Sequence, residues 1–102
     1  MIRGTTPTLR FKIPYCTRVI DLGYVTFSRK GEVFKDIPFS DSRVSVRDGA
    51  VLVSLTQKDT LEFNSRATYS VQLRILLKNN IAVASNIIPI SIGAILKNGI
   101  LK

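Results

Sequence analysis

A chain of 102 residues with 45% hydrophobic content is sized for one domain with a core of its own, not for two. A single cysteine, Cys16, and the absence of histidine exclude an intrachain disulfide, Ser-His and Cys-His catalysis, and the usual zinc ligand sets. The net charge of +8, from fifteen Lys and Arg against seven Asp and Glu, keeps bare monomers apart and favours acidic partners, nucleic acid among them.

Residues 1–8, rich in Gly, Thr and Pro, read as an irregular arm. Leu9, Phe11 and Ile13 then alternate with Arg10 and Lys12, the period of a half-buried strand, and Pro14 closes it. Cys16 follows in an apolar-flanked segment and reads as a small buried hydrophobe, since a reactive thiolate needs a base or an electropositive pocket. Residues 19–29 are rich in β-branched and aromatic side chains, but both phases of the alternation are apolar: Ile20, Leu22 and Tyr24 in one, Val25 and Phe27 in the other. A β-bulge near Gly23 would reconcile them. Arg29-Lys30-Gly31-Glu32 supplies a hairpin turn, and Val33, Phe34 and Ile37 begin a return strand that Pro38 interrupts.

Val44 and Val46 alternate with Ser45 and Arg47, Asp48-Gly49 signals a hairpin, and Val51, Val53 and Leu55 resume the period of two. Residues 56–63 break the alternation. Thr56 followed three residues later by Asp59 has the spacing of a helix cap, which predicts one helical turn near residues 57–62, with Leu61 and Phe63 plugging the end of the core. Residues 67–77 carry the longest regular alternation: Ala67, Tyr69, Val71, Leu73, Ile75 and Leu77 on one face, mostly polar side chains on the other. Asn79-Asn80 closes a hairpin, and residues 81–92 run back with a bulge expected at Asn86 and an edge or bulge position at Pro89.

These strands, hairpin-linked and with one helical turn before a long final hairpin, predict a single all-β domain over residues 1–102: a small antiparallel β-sandwich. An immunoglobulin-like topology is favoured over other small sandwiches or barrels, with Tyr69 near the position of a tyrosine corner. The tail, residues 93–102, carries Ile95, Leu96, Ile100 and Leu101, which either cover an edge of their own domain or meet another subunit. No uninterrupted apolar stretch opens the chain, so no signal peptide is expected. The most apolar run, residues 81–96, is broken by Ser85, Asn86, Pro89, Ser91 and Gly93, so no membrane span is expected and the chain is placed in the cytoplasm when made, or in a particle.

The blocks Arg3-Gly4-Thr5-Thr6-Pro7-Thr8 followed by Phe11 and Pro14, Val25-Thr26-Phe27-Ser28, Val53-Ser54-Leu55-Thr56-Gln57-Lys58-Asp59-Thr60-Leu61, Val71-Gln72-Leu73-Arg74-Ile75-Leu76 and Ala84-Ser85-Asn86-Ile87-Ile88, with Ile95-Leu96-Lys97-Asn98-Gly99-Ile100 beyond them, resemble a family of small uncharacterised proteins of phages and prophages of Gram-positive bacteria. The chain departs from the family pattern at Asn79-Asn80, where relatives tend to have an acidic residue and glycine. The resemblance implies an accessory component of a virion structural region and carries over no catalytic residue.

The first functional expectation is therefore a non-enzymatic, particle-associated protein that binds other phage structural proteins or itself, the apolar tail being the expected contact. The second is a small basic protein that binds nucleic acid, or inhibits a host factor by standing in for a nucleic-acid partner. Arg10, Lys12, Arg29, Lys30, Lys35, Arg43, Arg47 and Arg74 would then contact phosphates, and Tyr24, Phe27 or Phe34 would stack on bases. An enzyme is the third: a hydrolytic carboxylate pair would come from Asp36 and Asp41 or from Asp59 and Glu62, although capping and solvation account for the latter. Arg29-Lys30-Gly31 has too few glycines for a phosphate loop, and no cofactor is expected.

Overall fold

A computed structural model of the chain describes residues 1–47, 49–64 and 66–93. In chain order come β1 (Thr8–Lys12), a 3-10 turn (Thr17–Val19), β2 (Ile20–Arg29), β3 (Glu32–Pro38), β4 (Val44–Arg47), β5 (Ala50–Ser54), the short helix α1 (Gln57–Leu61), β6 (Thr68–Leu77), β7 (Ala82–Ala84) and β8 (Ile88–Ser91). They build two antiparallel sheets. The smaller has the order β1-β5-β4; the larger has the order β3-β2-β6-β7, with β8 also paired to β6. The fold is thus mostly β, with two sheets and one short helical turn, an arrangement consistent with a β-sandwich.

The local turns follow from residues that tolerate left-handed backbone. Lys30 (φ 52°) and Gly31 (φ 81°) join β2 to β3, which is the two-residue turn that matches strand twist. Gly49 (φ 80°) lies between β4 and β5, and Asn80 (φ 68°) between β6 and β7, where the Asn79 side chain accepts from Ile81 N–H at 3.2 Å. At α1 the capping box forms as its spacing predicts: Thr56 Oγ1 accepts from Asp59 N–H at 3.1 Å, and Asp59 Oδ2 accepts from Thr56 N–H at 2.9 Å.

Inward positions of both sheets meet in one core. Phe11, Val51 and Val53 come from the smaller sheet, and Val25, Phe27, Ile37, Tyr69, Val71 and Leu73 from the larger. Phe63, just past α1, closes one end of this core, with its ring edge-on to Phe27 (5.5 Å) and to Tyr69 (4.8 Å). Leu61, expected to share that role, is only half-buried.

Two expectations need correction. The bulge expected near Gly23 falls just before it, between Ile20 and Leu22 against β6, with a second irregularity between Phe27 and Ser28 against β3, while Gly23 itself pairs in register with Ile75. What makes Gly23 necessary is the ring of Phe39, which lies so close that a Cβ at position 23 would stand 2.5 Å from Phe39 Cε2. Cys16 is exposed, because it leads into the 3-10 turn that carries the chain from one sheet to the other rather than into a strand. The irregularity expected at Asn86 is present: the run leaves the ladder between Ala84, opposite Arg74, and Ile88, opposite Val71, with one residue more on this side than on β6, and Ser85 Oγ accepts from Leu73 N–H at 3.0 Å within the gap.

The N-terminal arm lies along its own domain. Ile2 forms a parallel bridge with Gly93, Arg3 donates to the carbonyls of Phe63 (2.7 Å) and Leu61 (2.8 Å), and Thr60 Oγ1 donates to the Thr5 carbonyl at 2.8 Å. Among the described residues no helix is long and apolar enough to cross a membrane.

Candidate interaction surface

In β2 the side chains that alternate with Val25 and Phe27 point away from the core. Leu22, Tyr24 and Thr26 therefore stand on the outer face of the larger sheet, with their neighbours fixed by register: Leu22 beside Leu76, which faces Ala82; Tyr24 between Pro38 and Arg74; Thr26 between Asp36 and Gln72. The excess of apolar residues in this strand is thus resolved by the irregularity between Ile20, which packs on the core, and Leu22, and by leaving Leu22 and Tyr24 uncovered. Leu22 is 47% and Tyr24 42% exposed. Two open clefts meet at this pair. One, of about 410 Å3, runs toward Pro38, Phe39 and Val46; the other, of about 350 Å3, runs toward Arg74, Leu76 and Ala82. Polar groups border the apolar centre: Arg74 on one side, and on the other Asp36, whose carboxylate accepts from Thr26 Oγ1 at 2.7 Å. An apolar centre with a large amphipathic aromatic and a polar rim is the anatomy of a protein-binding patch.

The charged residues divide between a brace and open surface. Arg43 holds Asp41 with two parallel hydrogen bonds of 2.9 Å and reaches Asp59 at 2.6 Å; Lys35 lies 3.6 Å from Asp59 and 3.1 Å from Glu62. This cluster joins β3 and the segment before β4 to the cap of α1. The hydrogen bonds from Arg43, chiefly those of its side chain, pull Asp41 down to about 2. Burial pushes Asp59 upward, but the hydrogen bonds from Thr56, with the charges of Arg43 and Lys35, outweigh it and hold the carboxyl below its ordinary value. Asp59 and Glu62, one of the carboxylate pairs considered for hydrolysis, are thus both engaged by cations; in the other pair, Asp41 is bound by Arg43 and Asp36 by Thr26.

The eight basic positions considered for phosphate binding do not all come together on one face. Lys35 and Arg43 belong to the brace, with carboxylates rather than solvent around them. Arg29 lies over the Tyr69 ring, 5.8 Å from its centre. Lys30 is in the β2–β3 turn and Arg74 on the outer face of the larger sheet, while Arg10, Lys12 and Arg47 are exposed on the smaller one. Of the aromatics considered for stacking, Phe27 is fully buried, Phe34 packs one side against Phe63 and Tyr69 but remains exposed, and Tyr24 is exposed. Ile95, Leu96, Ile100 and Leu101 lie outside the described residues. The sequence reading passed over Leu22 as a surface residue, although the doubled apolar phase of residues 20–27 was the signal for it.

Among the described residues no three His, Cys, Asp or Glu are grouped to hold a metal ion. No protein-family model matches the chain, and no curated protein matches it.

Proposed function

We propose that the chain is a phage or prophage structural or particle-associated protein of immunoglobulin-like topology, which acts without catalysis through protein–protein contacts at the outer face of its larger sheet. The observation that carries this reading is the uncovered Leu22–Tyr24 pair at the meeting point of two clefts. A solitary domain would gain by placing polar residues there; a domain that docks gains by leaving a Leu and a Tyr open.

The topology is supported by strand order. β1, β5 and β4 correspond to strands B, E and D of an immunoglobulin sandwich, and β3, β2, β6 and β7 to C′, C, F and G. Tyr69, at the second position of β6, accepts a hydrogen bond on its hydroxyl from Asn64 N–H at 3.0 Å, as a tyrosine corner does. The particle association is supported by the family resemblance of the sequence blocks, and implies a chain made in the cytoplasm and carried into the virion.

The test is co-sedimentation with purified particles of the encoding phage, comparing the wild type with Leu22→Ser and Tyr24→Ser. A chain that travels with the particles, and is released by these two changes while remaining folded, supports the proposal. A wild-type chain that stays in the soluble fraction on a host protein overturns it in favour of an inhibitor.

A further inference from the structure

Register gathers three of the dispersed basic residues on the outer face of the smaller sheet. Lys12 of β1 and Arg47 of β4 are both paired with Ala50 of β5, one from each side, and Arg10 is paired with Leu52, the next outward position of β5. Paired residues share a face, so these cations stand together opposite Phe11, Val51 and Val53, which point into the core. Strand geometry separates Arg10 from Lys12 by about 7 Å and Lys12 from Arg47 by about 10 Å. All three are exposed, and none has an acidic partner among the described residues.

The three strands contain no Asp or Glu at all, while Asp41, Asp59 and Glu62 are occupied by Lys35 and Arg43 in the brace. Thr8, Ser45 and Ser54 add hydroxyl donors on the same face, with Thr8 and Ser54 3.3 Å apart. No aromatic side chain accompanies them on these strands' outward positions, so the face offers charge and hydroxyl donors but no platform for a base. Such a set recognises phosphates and is indifferent to sequence. We propose that the outer face of the three-stranded sheet binds the phosphate backbone of nucleic acid through Arg10, Lys12 and Arg47, independently of the protein-binding face on the other sheet.

The experiment is fluorescence-anisotropy titration of a short, mixed-sequence labelled DNA duplex with the full chain over a range of salt concentrations. Three phosphate contacts give a slope of log affinity on log salt of about −2.7, so that a four-fold rise in salt weakens binding roughly forty-fold. In Arg10→Gln/Lys12→Gln/Arg47→Gln most of that slope disappears; in Lys30→Gln/Lys58→Gln/Lys78→Gln, which removes the same charge from exposed positions elsewhere, it stays. If the first triple is unstable, Arg10→Gln and Arg47→Gln alone, on separate edge strands, each make the slope shallower by about 0.9. Equal losses from the two charge-matched sets would mean diffuse attraction by the net charge and overturn the proposal. So would a wild type that fails to bind the duplex at low salt.

Discussion

Gly23 and Phe39 form a close residue-scale fit at the end of β3: the ring occupies the space a side chain at position 23 would take, and Phe39 N–H donates to the Gly23 carbonyl at 2.8 Å. Gly23→Ala therefore forces the ring aside and is expected to destabilise the domain by about 1–3 kcal/mol in urea unfolding, and Phe39→Leu in the same chain recovers part of the loss. A Gly23→Ala variant as stable as the wild type would show that the ring moves without cost. Tyr69 offers a contrasting case. Its ring is buried against Phe63 and Phe34 while its hydroxyl accepts from Asn64 N–H, so Tyr69→Phe keeps the packing and is expected to cost about 1 kcal/mol.

At the scale of elements, α1 depends on its cap and on the brace beneath it. Thr56→Ala removes one half of the capping box and is expected to lower stability by about 1 kcal/mol. The brace also sets a pH dependence. Asp41 titrates near 3.8 when unfolded and near 2 when folded, and Asp59 is lowered in the same direction. The unfolded chain therefore takes up protons first as pH falls, so the contribution of the pair is complete above pH of about 5 and lost between about 4 and 2. The thermal midpoint should fall over that window in the wild type and less steeply in Asp41→Asn; identical slopes would count against the brace. The alternation of residues 67–77, the hairpin signals Lys30-Gly31 and Asn79-Asn80, and the Thr56/Asp59 cap were all legible in the sequence because each is a local property. The rest required contacts between distant residues. Phe39 over Gly23 and Asp59 between Lys35 and Arg43 join positions that no spacing rule connects. The candidate surface was half legible: the doubled apolar phase around Gly23 was visible, but whether a bulge or exposure resolved it was decided by register with β6.

For the whole molecule, two faces of opposite character lie on the two sheets, apolar around Leu22 and Tyr24 on the larger and cationic around Arg10, Lys12 and Arg47 on the smaller. In the full chain Tyr24→Ala should weaken particle association at least ten-fold without altering the salt dependence of DNA binding, and the basic triple should do the reverse; sedimentation and anisotropy on the same samples check this. Coupled losses in both assays would mean one shared surface. The pairing of β2 with β6, from Ile20 opposite Leu77 to Ser28 opposite Ser70, spans most of the described chain. During translation, at about 5–20 residues per second, β2 and β3 wait roughly 2–10 s for the end of β6 to be polymerised. Throughout that interval Val25, Phe27 and Ile37 are a hairpin's bare apolar side, so the nascent chain is a natural client for whatever holdase stands at the ribosome exit.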